Sequence, residues 1–223
     1  MKTSVIIPAL NEEKHIGNVI KRIQKCNLVD EIIIVDNNST DKTNEIAKSF
    51  GVKTFICLKK GKGYAMEQGI KHATGDIIVF VDADIENYKN DFVENMITPI
   101  LNKKADFVKS TFEREGGRVT ELVAKPLLEI LFPKLAKYDQ PLSGIIAGKK
   151  KIFDKIEFEK DYGVDVGILI DVYKQNAKMQ QVSIGKIKND SQNWKDLIGM
   201  SKQVSMAILK RVDNYSKIKK ETK

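Results

Sequence analysis

The sequence has few of the residues that mark metal-binding and disulfide-rich proteins. Its 223 residues include only two cysteines, Cys26 and Cys57, and two histidines, His15 and His72. The cysteines lack metal-ligand spacing, and two thiols with no signal peptide ahead of them fit the reducing cytosol. We therefore expect a cytoplasmic protein in which both cysteines are buried as apolar filler. Both histidines fall on predicted helices, where surface or helix-capping roles are expected.

Long apolar runs and glycine-rich nucleotide loops are missing as well. No apolar run is long enough to span a bilayer, so no transmembrane helix is expected. No Gly-x-Gly-x-x-Gly follows the first predicted strand, and no Gly-Lys-Ser/Thr occurs. These absences disfavour a Rossmann dinucleotide site and a P-loop. The hydrophobic content of 42% and the charged content of 30% are typical of a globular domain.

Positive charge is in excess. The net charge is +8, with lysines clustered at 59–62, at 149–151 and in the C-terminal tail, residues 213–223. Such charge suits nucleic acid, anionic lipid or phosphorylated small molecules. Aromatic residues are not interleaved with the basic ones, so nucleic acid is not expected as a partner. The tail is predicted to be a solvated end, and peripheral membrane contact stays open.

Strand and helix patterns alternate along the first part of the chain. Apolar, β-branched segments predict strands at residues 3–8, 31–36, 51–56 and 77–81. Helices are predicted from 12 to about 25 with Asn11 as the cap, from Thr40 or Asp41 to 50, and from 64 to 72. A last amphipathic helix is predicted from Asn193, with Trp194 anchoring it to the domain. The pattern predicts one α/β domain over residues 1–212, with a mainly parallel central sheet flanked by helices.

Two aspartates follow the fourth predicted strand. Asp82 and Asp84 lie one residue apart, so on an extended chain they point the same way and their carboxylates repel each other. A divalent cation between them would relieve the repulsion. Oxygen ligands suit Mg²⁺ or Mn²⁺, which usually bridge to substrate phosphates. An ordinary aspartate-rich turn after a strand explains the same residues about equally well.

Three polar loops follow successive predicted strands. They run from Pro8 to Glu12, from Asp36 to Asp41 and from Asp82 to Asp84. Because the carboxyl ends of parallel strands share one sheet edge, we expect the loops to meet there. A nucleotide diphosphate accompanied by a cation fits such an edge. The segment 61–63, Gly-Lys-Gly, is either a flexible loop that places Lys62 on a phosphate or a solvated basic turn.

Four segments in this order resemble a known family. SVIIPALNEE, EIIIVDNNSTDKT, GKGYAMEQG and GDIIVFVDAD are similar to the N-terminal half of family 2 nucleotide-sugar glycosyltransferases, which have the GT-A fold. The resemblance implies a nucleotide-sugar-binding half up to about residue 110 and an acceptor-binding half from about 111 to 212. It also implies a cation at Asp82 and Asp84 that bridges the donor diphosphate. The donor-binding residues that it implies are Pro8, Ala9, Leu10, Glu12, Asp36, Asn38, Lys62, Asp82 and Ala83.

The second half resembles one group within that family. GGRVTEL at 116–122, QPLSG at 140–144 and YGVDVGILID at 162–171 are similar to the glucosyl-3-phosphoglycerate synthases. Those enzymes move a hexose from a nucleotide sugar, UDP-glucose or a GDP-sugar, to the small phosphorylated acceptor 3-phosphoglycerate. The resemblance implies a homodimer and an acceptor site formed by Arg118, Val119, Thr120 and Ser143. The residues alone allow an arginine fork on a phosphate, but they favour a hairpin turn with a surface arginine.

Two positions depart from the resembled group. A histidine of the C-terminal segment completes the metal site in that group, and Asn189 stands in its place here, so the expected metal ligands are Asp82, Asp84 and Asn189. The family's Gly-Glu after Gln-Pro-Leu is replaced by Gly144-Ile145. Two alternatives therefore stay open. One is a transferase to a polyprenyl phosphate or cell-envelope glycan, and the other is a non-catalytic nucleotide-sugar-binding protein.

The expected catalytic residues are Asp82, Asp84, Leu142 and Asp165. The cation and Lys62 would neutralise the charge that builds up on the departing diphosphate. The resembled synthases retain the anomeric configuration, which implies a reacting centre lined by the backbone around Leu142 and no protein nucleophile. Inversion would instead need a general base, and Asp165 is the obvious carboxylate candidate in the second half. The resemblance favours retention.

Overall fold

The computed structural model describes residues 1–113, 117–188 and 193–212. Within them one sheet has the strand order β3-β2-β1-β4-β6-β5-β7. Strand β6 is antiparallel to both β4 and β5, and the other pairs are parallel. The strands are β1 Thr3–Ala9, β2 Glu31–Asp36, β3 Lys53–Ile56, β4 Ile77–Phe80, β5 Phe107–Glu113, β6 Ile146–Lys149 and β7 Met179–Lys186.

Helices connect the strands and cover both faces of the sheet. A π-helical turn, Thr120–Ala124, leads into α5, and a 3-10 turn, Pro133–Leu135, follows it. The α-helices are α1 Ile16–Ile23, α2 Thr43–Ser49, α3 Lys62–His72, α4 Phe92–Leu101, α5 Lys125–Leu131, α6 Lys150–Phe153, α7 Val164–Lys174 and α8 Trp194–Lys210. No helix in the described part of the chain is both long enough and apolar enough to cross a membrane.

Strands β1, β2 and β4 are buried on both faces, as their sequence predicts, whereas β3 at the edge of the sheet is partly exposed. In β1, Val5 and Ile7 pack on the face covered by α1 and α4, whereas Ile6 packs on the opposite face with α3 and α7. Successive side chains of a strand point to opposite faces, so an unbroken apolar run supplies both layers of the core. The prediction of a mainly parallel sheet flanked by helices is confirmed.

Asn11 does not cap the first helix. Helix α1 begins at Ile16, four residues later than predicted. Asn11 adopts a positive φ of 58°, and its Oδ1 accepts hydrogen bonds from the backbone N–H of Thr40 (2.9 Å) and from its hydroxyl. Asn11 therefore links the loop after β1 to the loop after β2. At the next helix the cap residue is Lys42, not the predicted Thr40 or Asp41, although Asp41 accepts a hydrogen bond from the backbone N–H of Thr43 (3.0 Å).

The second half adds the antiparallel strand β6 between β4 and β5. This places the segment that precedes β6, which contains Leu142, next to the loop that follows β4. Both cysteines are free and buried, as predicted. The last helix begins directly after Asn193, whose Oδ1 accepts the backbone N–H of Asp196 (3.0 Å), as expected of a helix cap.

Candidate active site

A cleft of about 530 Å³ opens at the carboxyl edge of the parallel strands. The loops after β1 and β4 form one side, and segments from the second half of the chain form the other. The sequence-predicted residues in its lining are Pro8, Ala9, Leu10, Glu12, Lys62, Asp82, Ala83, Asp84, Leu142, Ser143 and Asp165. The structure thus brings together residues separated by more than half the chain.

Lys62 forms the centre of the cleft. Its Nζ lies 2.9 Å from Asp82 Oδ1 and 2.9 Å from Asp165 Oδ2. Burial alone would lower the pKa of Lys62, but the two carboxylates hold it well above the usual lysine value. Burial raises the pKa of Asp165 despite the nearby ammonium. The second oxygen of Asp165, Oδ1, is buried and has no hydrogen-bond partner among the described residues, which is unusual for a buried polar atom.

The glycines around Lys62 are required by close packing. A Cβ on Gly61 or Gly63 would collide with the backbone carbonyls of Lys160 or Glu159, and Gly63 N–H donates to the Lys160 carbonyl at 3.2 Å. Gly61 also adopts a φ of 137°, which favours glycine. The segment is therefore a fixed entry to α3, and the interpretation as a solvated basic turn is wrong.

Asp82 and Asp84 both line the cleft, although the chain is no longer extended there. Strand β4 ends at Phe80, and Asp84 lies in a turn. Burial and the charge of Asp82 raise the pKa of Asp84 to about 6. Crowded, buried carboxylates of this kind fit a hard divalent cation. Residues 1–113, 117–188 and 193–212 contain no group of three Asp, Glu, His or Cys side chains arranged for a metal, and Asn189, the third predicted ligand, lies outside the described residues.

His15 lies beside these acids. It occupies the N-cap position of α1, but its side chain makes no capping hydrogen bond, so the expected capping role is met in position alone. Its Nδ1 is 3.2 Å from Glu12 Oε2 and its Nε2 is 3.7 Å from Glu86 Oε1. Burial raises the pKa of Glu12 to about 7, although the contact with His15 lowers it; the charge of Asp84 adds to the rise. His72, by contrast, stacks on the ring of Phe55 outside the cleft.

Two predicted donor-binding residues do not line the cleft. Asp36 is buried and accepts hydrogen bonds from the backbone N–H of Ser39 (2.9 Å) and the Asn44 amide (3.1 Å), so it orders its own loop. Asn38 is exposed with a φ of 63°. Asn37, which the sequence did not single out, lines the cleft instead. Its Oδ1 accepts the backbone N–H of Gly61 at 2.8 Å, which ties β2 to the Lys62 segment.

The predicted acceptor residues open a helical segment, so the hairpin interpretation is wrong. Gly117 has a φ of 88°, and helical backbone runs from Arg118 through the π-helical turn into α5. Arg118 is exposed, and Val119 and Thr120 are buried. Helix α8 packs against this turn and contributes Met200 and Gln203 to the cleft lining.

Trp194 does not anchor α8 in the core. Its side chain is 64% exposed. The guanidinium carbon of Arg118 lies 5.8 Å from the centre of its ring, within the range of a cation–π contact. The aromatic ring and the predicted phosphate-binding arginine thus lie side by side at the surface.

Lys109 is a buried lysine behind the cleft lining that sequence reasoning missed. It lies on β5 and is fully buried. Burial lowers the pKa of Lys109 to about 8, although the nearby Asp165 opposes the change. A charged residue inside an apolar strand segment, Phe-Val-Lys-Ser, was a visible signal. Gln203 and Met200 lie on the last helix, and nothing in its amphipathic pattern marks them as cleft residues.

Comparison with known proteins identifies the family. The sequence profile of glycosyl transferase family 2 matches residues 4–161. The chain is a family 2 glycosyltransferase. The glycosyltransferase is 36% identical to a glucosyl-3-phosphoglycerate synthase of Petrotoga mobilis, and the match covers 98% of this chain and 75% of that protein.

Solved structures support the same relationship. The glycosyltransferase aligns with the Mycobacterium tuberculosis glucosyl-3-phosphoglycerate synthase in complex with Mn²⁺, UDP and phosphoglyceric acid at a TM-score of 0.90 and 36% identity, over 95% of this chain and 78% of that one. The same synthase in complex with Mg²⁺ and UDP also matches at 0.90. The GT-A fold and the resemblance to this group of synthases are confirmed.

Proposed function

We propose that this glycosyltransferase moves glucose from UDP-glucose to 3-phosphoglycerate with Mg²⁺ or Mn²⁺ bound. The observation that carries the proposal is the cluster of Lys62, Asp82 and Asp165 in the cleft. It joins the donor motifs of the first half to a carboxylate from the second half, in a chain that matches the synthases over both halves.

Asp82 and Asp84 would hold the cation, with Asn189 as the expected third ligand. A bound Mg²⁺ or Mn²⁺ supplies positive charge at the donor diphosphate. The Lys62 ammonium is within reach of the same group and would stabilise the charge that develops as the nucleotide leaves. The loop residues Pro8, Ala9, Leu10 and Glu12, with Ala83, would surround the nucleoside, whereas Asp36 and Asn38 would act by shaping the neighbouring loop.

The reacting centre would lie between Leu142 and Asp165. Asp165 Oδ1, the buried oxygen without a partner, would accept a hydrogen bond from a hexose hydroxyl. The synthases that this chain resembles retain the anomeric configuration, as the sequence comparison implies, and retention needs no carboxylate that removes the acceptor proton. We therefore propose retention, with the acceptor hydroxyl attacking along the Leu142 backbone. The anomeric configuration of the product, measured by proton NMR, tests this directly.

Arg118, Val119 and Thr120 would bind the acceptor, with Ser143 nearer the sugar. A helical N-terminus and a guanidinium together suit a phosphate. Arg118→Ala should raise the phosphoglycerate KM by about 10-fold or more and leave UDP affinity unchanged. Lys125→Ala, which removes an exposed ion pair with Glu121 on the same segment, is the matched control. An unchanged KM for Arg118→Ala would refute the acceptor assignment.

A cytoplasmic homodimer completes the proposal. Exposed apolar side chains on the π-helical turn and on α8, Leu122 (71%) and Ile198 (61%), support a contact between subunits on this face. Light scattering after size-exclusion chromatography tests the dimer. Sedimentation with anionic vesicles tests the competing use of the same face as a peripheral membrane contact.

The decisive experiment measures nucleotide release from a panel of UDP- and GDP-sugars with Mg²⁺ or Mn²⁺. We expect UDP release from UDP-glucose to be strongly stimulated by 3-phosphoglycerate and to stop when EDTA is added. Release that is indifferent to 3-phosphoglycerate would refute the proposed acceptor and direct the search to lipid phosphates.

A further inference from the structure

Lys109 is the one lysine buried in the described part of the chain. It does not line the cleft. Its Nζ lies behind the lining and donates to the backbone carbonyl of Ser143 at 2.7 Å, with the backbone carbonyl of Asp165 at 3.5 Å. An ammonium is costly to bury, and hydrogen bonds to carbonyls repay that cost only in part.

The two carbonyls belong to the two second-half segments that reach the reacting centre. One is the segment that contains Leu142 and Ser143, and the other is the first turn of α7, which contains Asp165. The neighbouring β5 residue, Ser110, holds the first segment as well, because its hydroxyl lies 2.8 Å from the Ser143 hydroxyl. The Ser143 hydroxyl in turn accepts the backbone N–H of Ile145 at 3.1 Å. Strand β5 thus fixes both the main chain and the side chain of Ser143.

Charge complements this geometry. Lys62 is the partner of Asp165 in the cleft, yet the proposed function requires Lys62 to face the donor diphosphate. Lys109 bonds to backbone carbonyls and not to the carboxylate, so a donor that draws Lys62 away would leave Lys109 in place. It therefore keeps a positive charge near Asp165 when Lys62 is engaged elsewhere.

We propose that Lys109, supported by Ser110, is a positioning residue that holds the Leu142–Ser143 segment and Asp165 around the hexose. The inference rests on the proposed function, because it assigns the hexose to that side of the cleft. It predicts that changes at Lys109 affect the sugar and the transfer step, and leave the UDP moiety bound as before.

The test compares Lys109→Met with wild type in kcat, melting temperature and affinity for UDP and UDP-glucose. We expect kcat to fall by about 100-fold, as for a misplaced reacting group, while UDP affinity stays within about 3-fold. The extra affinity of UDP-glucose over UDP should be lost. Lys150→Met is the matched control, since Lys150 also donates to a backbone carbonyl, that of Ala73 (2.6 Å), far from the cleft. It should match wild type in all the activity measurements.

Two outcomes would overturn the inference. One is a folded Lys109→Met variant with wild-type kcat and wild-type preference for UDP-glucose. The other concerns Ser110→Ala, which serves as the test if Lys109→Met does not fold. It removes only the contact between the Ser110 and Ser143 hydroxyls and should lower kcat by about 10-fold at unchanged UDP affinity. A Ser110→Ala variant with wild-type kcat would then overturn the inference. The affinity comparison needs no acceptor, so it still decides on Lys109 if 3-phosphoglycerate proves to be the wrong acceptor.

Discussion

Replacing Arg211 with methionine should destabilise the fold markedly, because its guanidinium holds the end of α8 to two other segments. It bonds both oxygens of Asp171 at 2.8 Å and Glu159 Oε1 at 2.8 Å, and it donates to the carbonyls of Ala207 and Glu157 at 3.1 Å. The Arg211 side chain is only 9% exposed, against 21% for Asp171 and 18% for Glu159. Asp171 would lose this partner, and Glu159 would keep only the more exposed Lys210, while both carboxylates stay largely removed from water.

The expected size follows from this burial. Breaking a buried pair typically costs 3–5 kcal/mol, and partial access of water to the carboxylates places the loss at the lower end, about 3 kcal/mol. For a chain of this size the melting temperature should fall by about 6 to 12 °C, measured by calorimetry. Lys210→Met is the control, since Lys210 meets the same Glu159 at 2.9 Å but is 52% exposed, and its loss should cost less than about 1 kcal/mol.

The pH dependence gives a second measurement of the same interaction. Burial alone would raise the pKa of Glu159, but the bonds from Lys210 and Arg211 lower it below its usual value. A lowered carboxyl pKa stabilises the fold above the unfolded value of about 4.3 and ceases to do so as the pH falls through the folded value. The difference between wild type and Arg211→Met should therefore shrink below about pH 4. A melting temperature within about 2 °C of wild type at pH 7 would refute the reasoning.

Three further predictions concern the site and the sheet. EDTA should weaken UDP binding to wild type but leave UDP binding to Asp84→Ala unchanged, as measured by calorimetric titration. If EDTA still weakens UDP binding to the variant, Asp84 is not a ligand of the cation. In Gly144→Ala the new methyl group would collide with Asp82 Oδ1 and Lys62 Nζ, so kcat should fall by about 10- to 100-fold. A variant with wild-type kinetics would show that the Lys62–Asp82 ion pair adjusts freely to the added methyl group. Burial alone would raise the pKa of Glu31, but hydrogen bonds from Lys53, Ser4 and Thr74 lower it to about 2. Because Lys53 is exposed, Glu31→Gln should lower the free energy of unfolding by only about 1 kcal/mol at pH 7. Urea titration should show this cost vanishing as the pH falls from about 4.5 towards 2, and a constant difference would contradict it.

The strands of the first half were predictable because their signal is local. Residues 32–35 and 77–80 are all apolar and either β-branched or aromatic, so burial on both faces follows from the sequence alone. Strand β6, Ile-Ala-Gly-Lys, is short and holds a glycine and an alanine, and its antiparallel place between β4 and β5 depends on partners distant in the chain. The pairing of β6 with β4 and β5, and not the strand propensity of its own residues, makes this segment a strand.

The same limit applies to the site. Asp82 and Asp84 were predictable because they follow a strand that is recognisable by itself. The contact of Lys62 with Asp165 spans 103 residues, and the reason for glycine at 63 is the carbonyl of Glu159. A single sequence carries no signal for such a contact, so resemblance to a family was needed to favour a phosphate-binding Lys62 over a solvated basic turn.

The charges in the cleft imply that donor and cation bind together. Lys62 is balanced by Asp82 and Asp165, so a divalent cation alone would bring positive charge next to an ammonium. A donor diphosphate alone would bring negative charge next to Asp82 and Asp84. If the two arrive together, Asp82 and Asp84 would hold the cation and Lys62 would meet the diphosphate, so that each new charge would meet an opposite one. Because coupling is reciprocal, the factor by which the cation tightens donor binding equals the factor by which the donor tightens cation binding. On the proposed function, Asp165 would then lose Lys62 as a partner, keep Lys109 behind it and offer Oδ1 to the sugar.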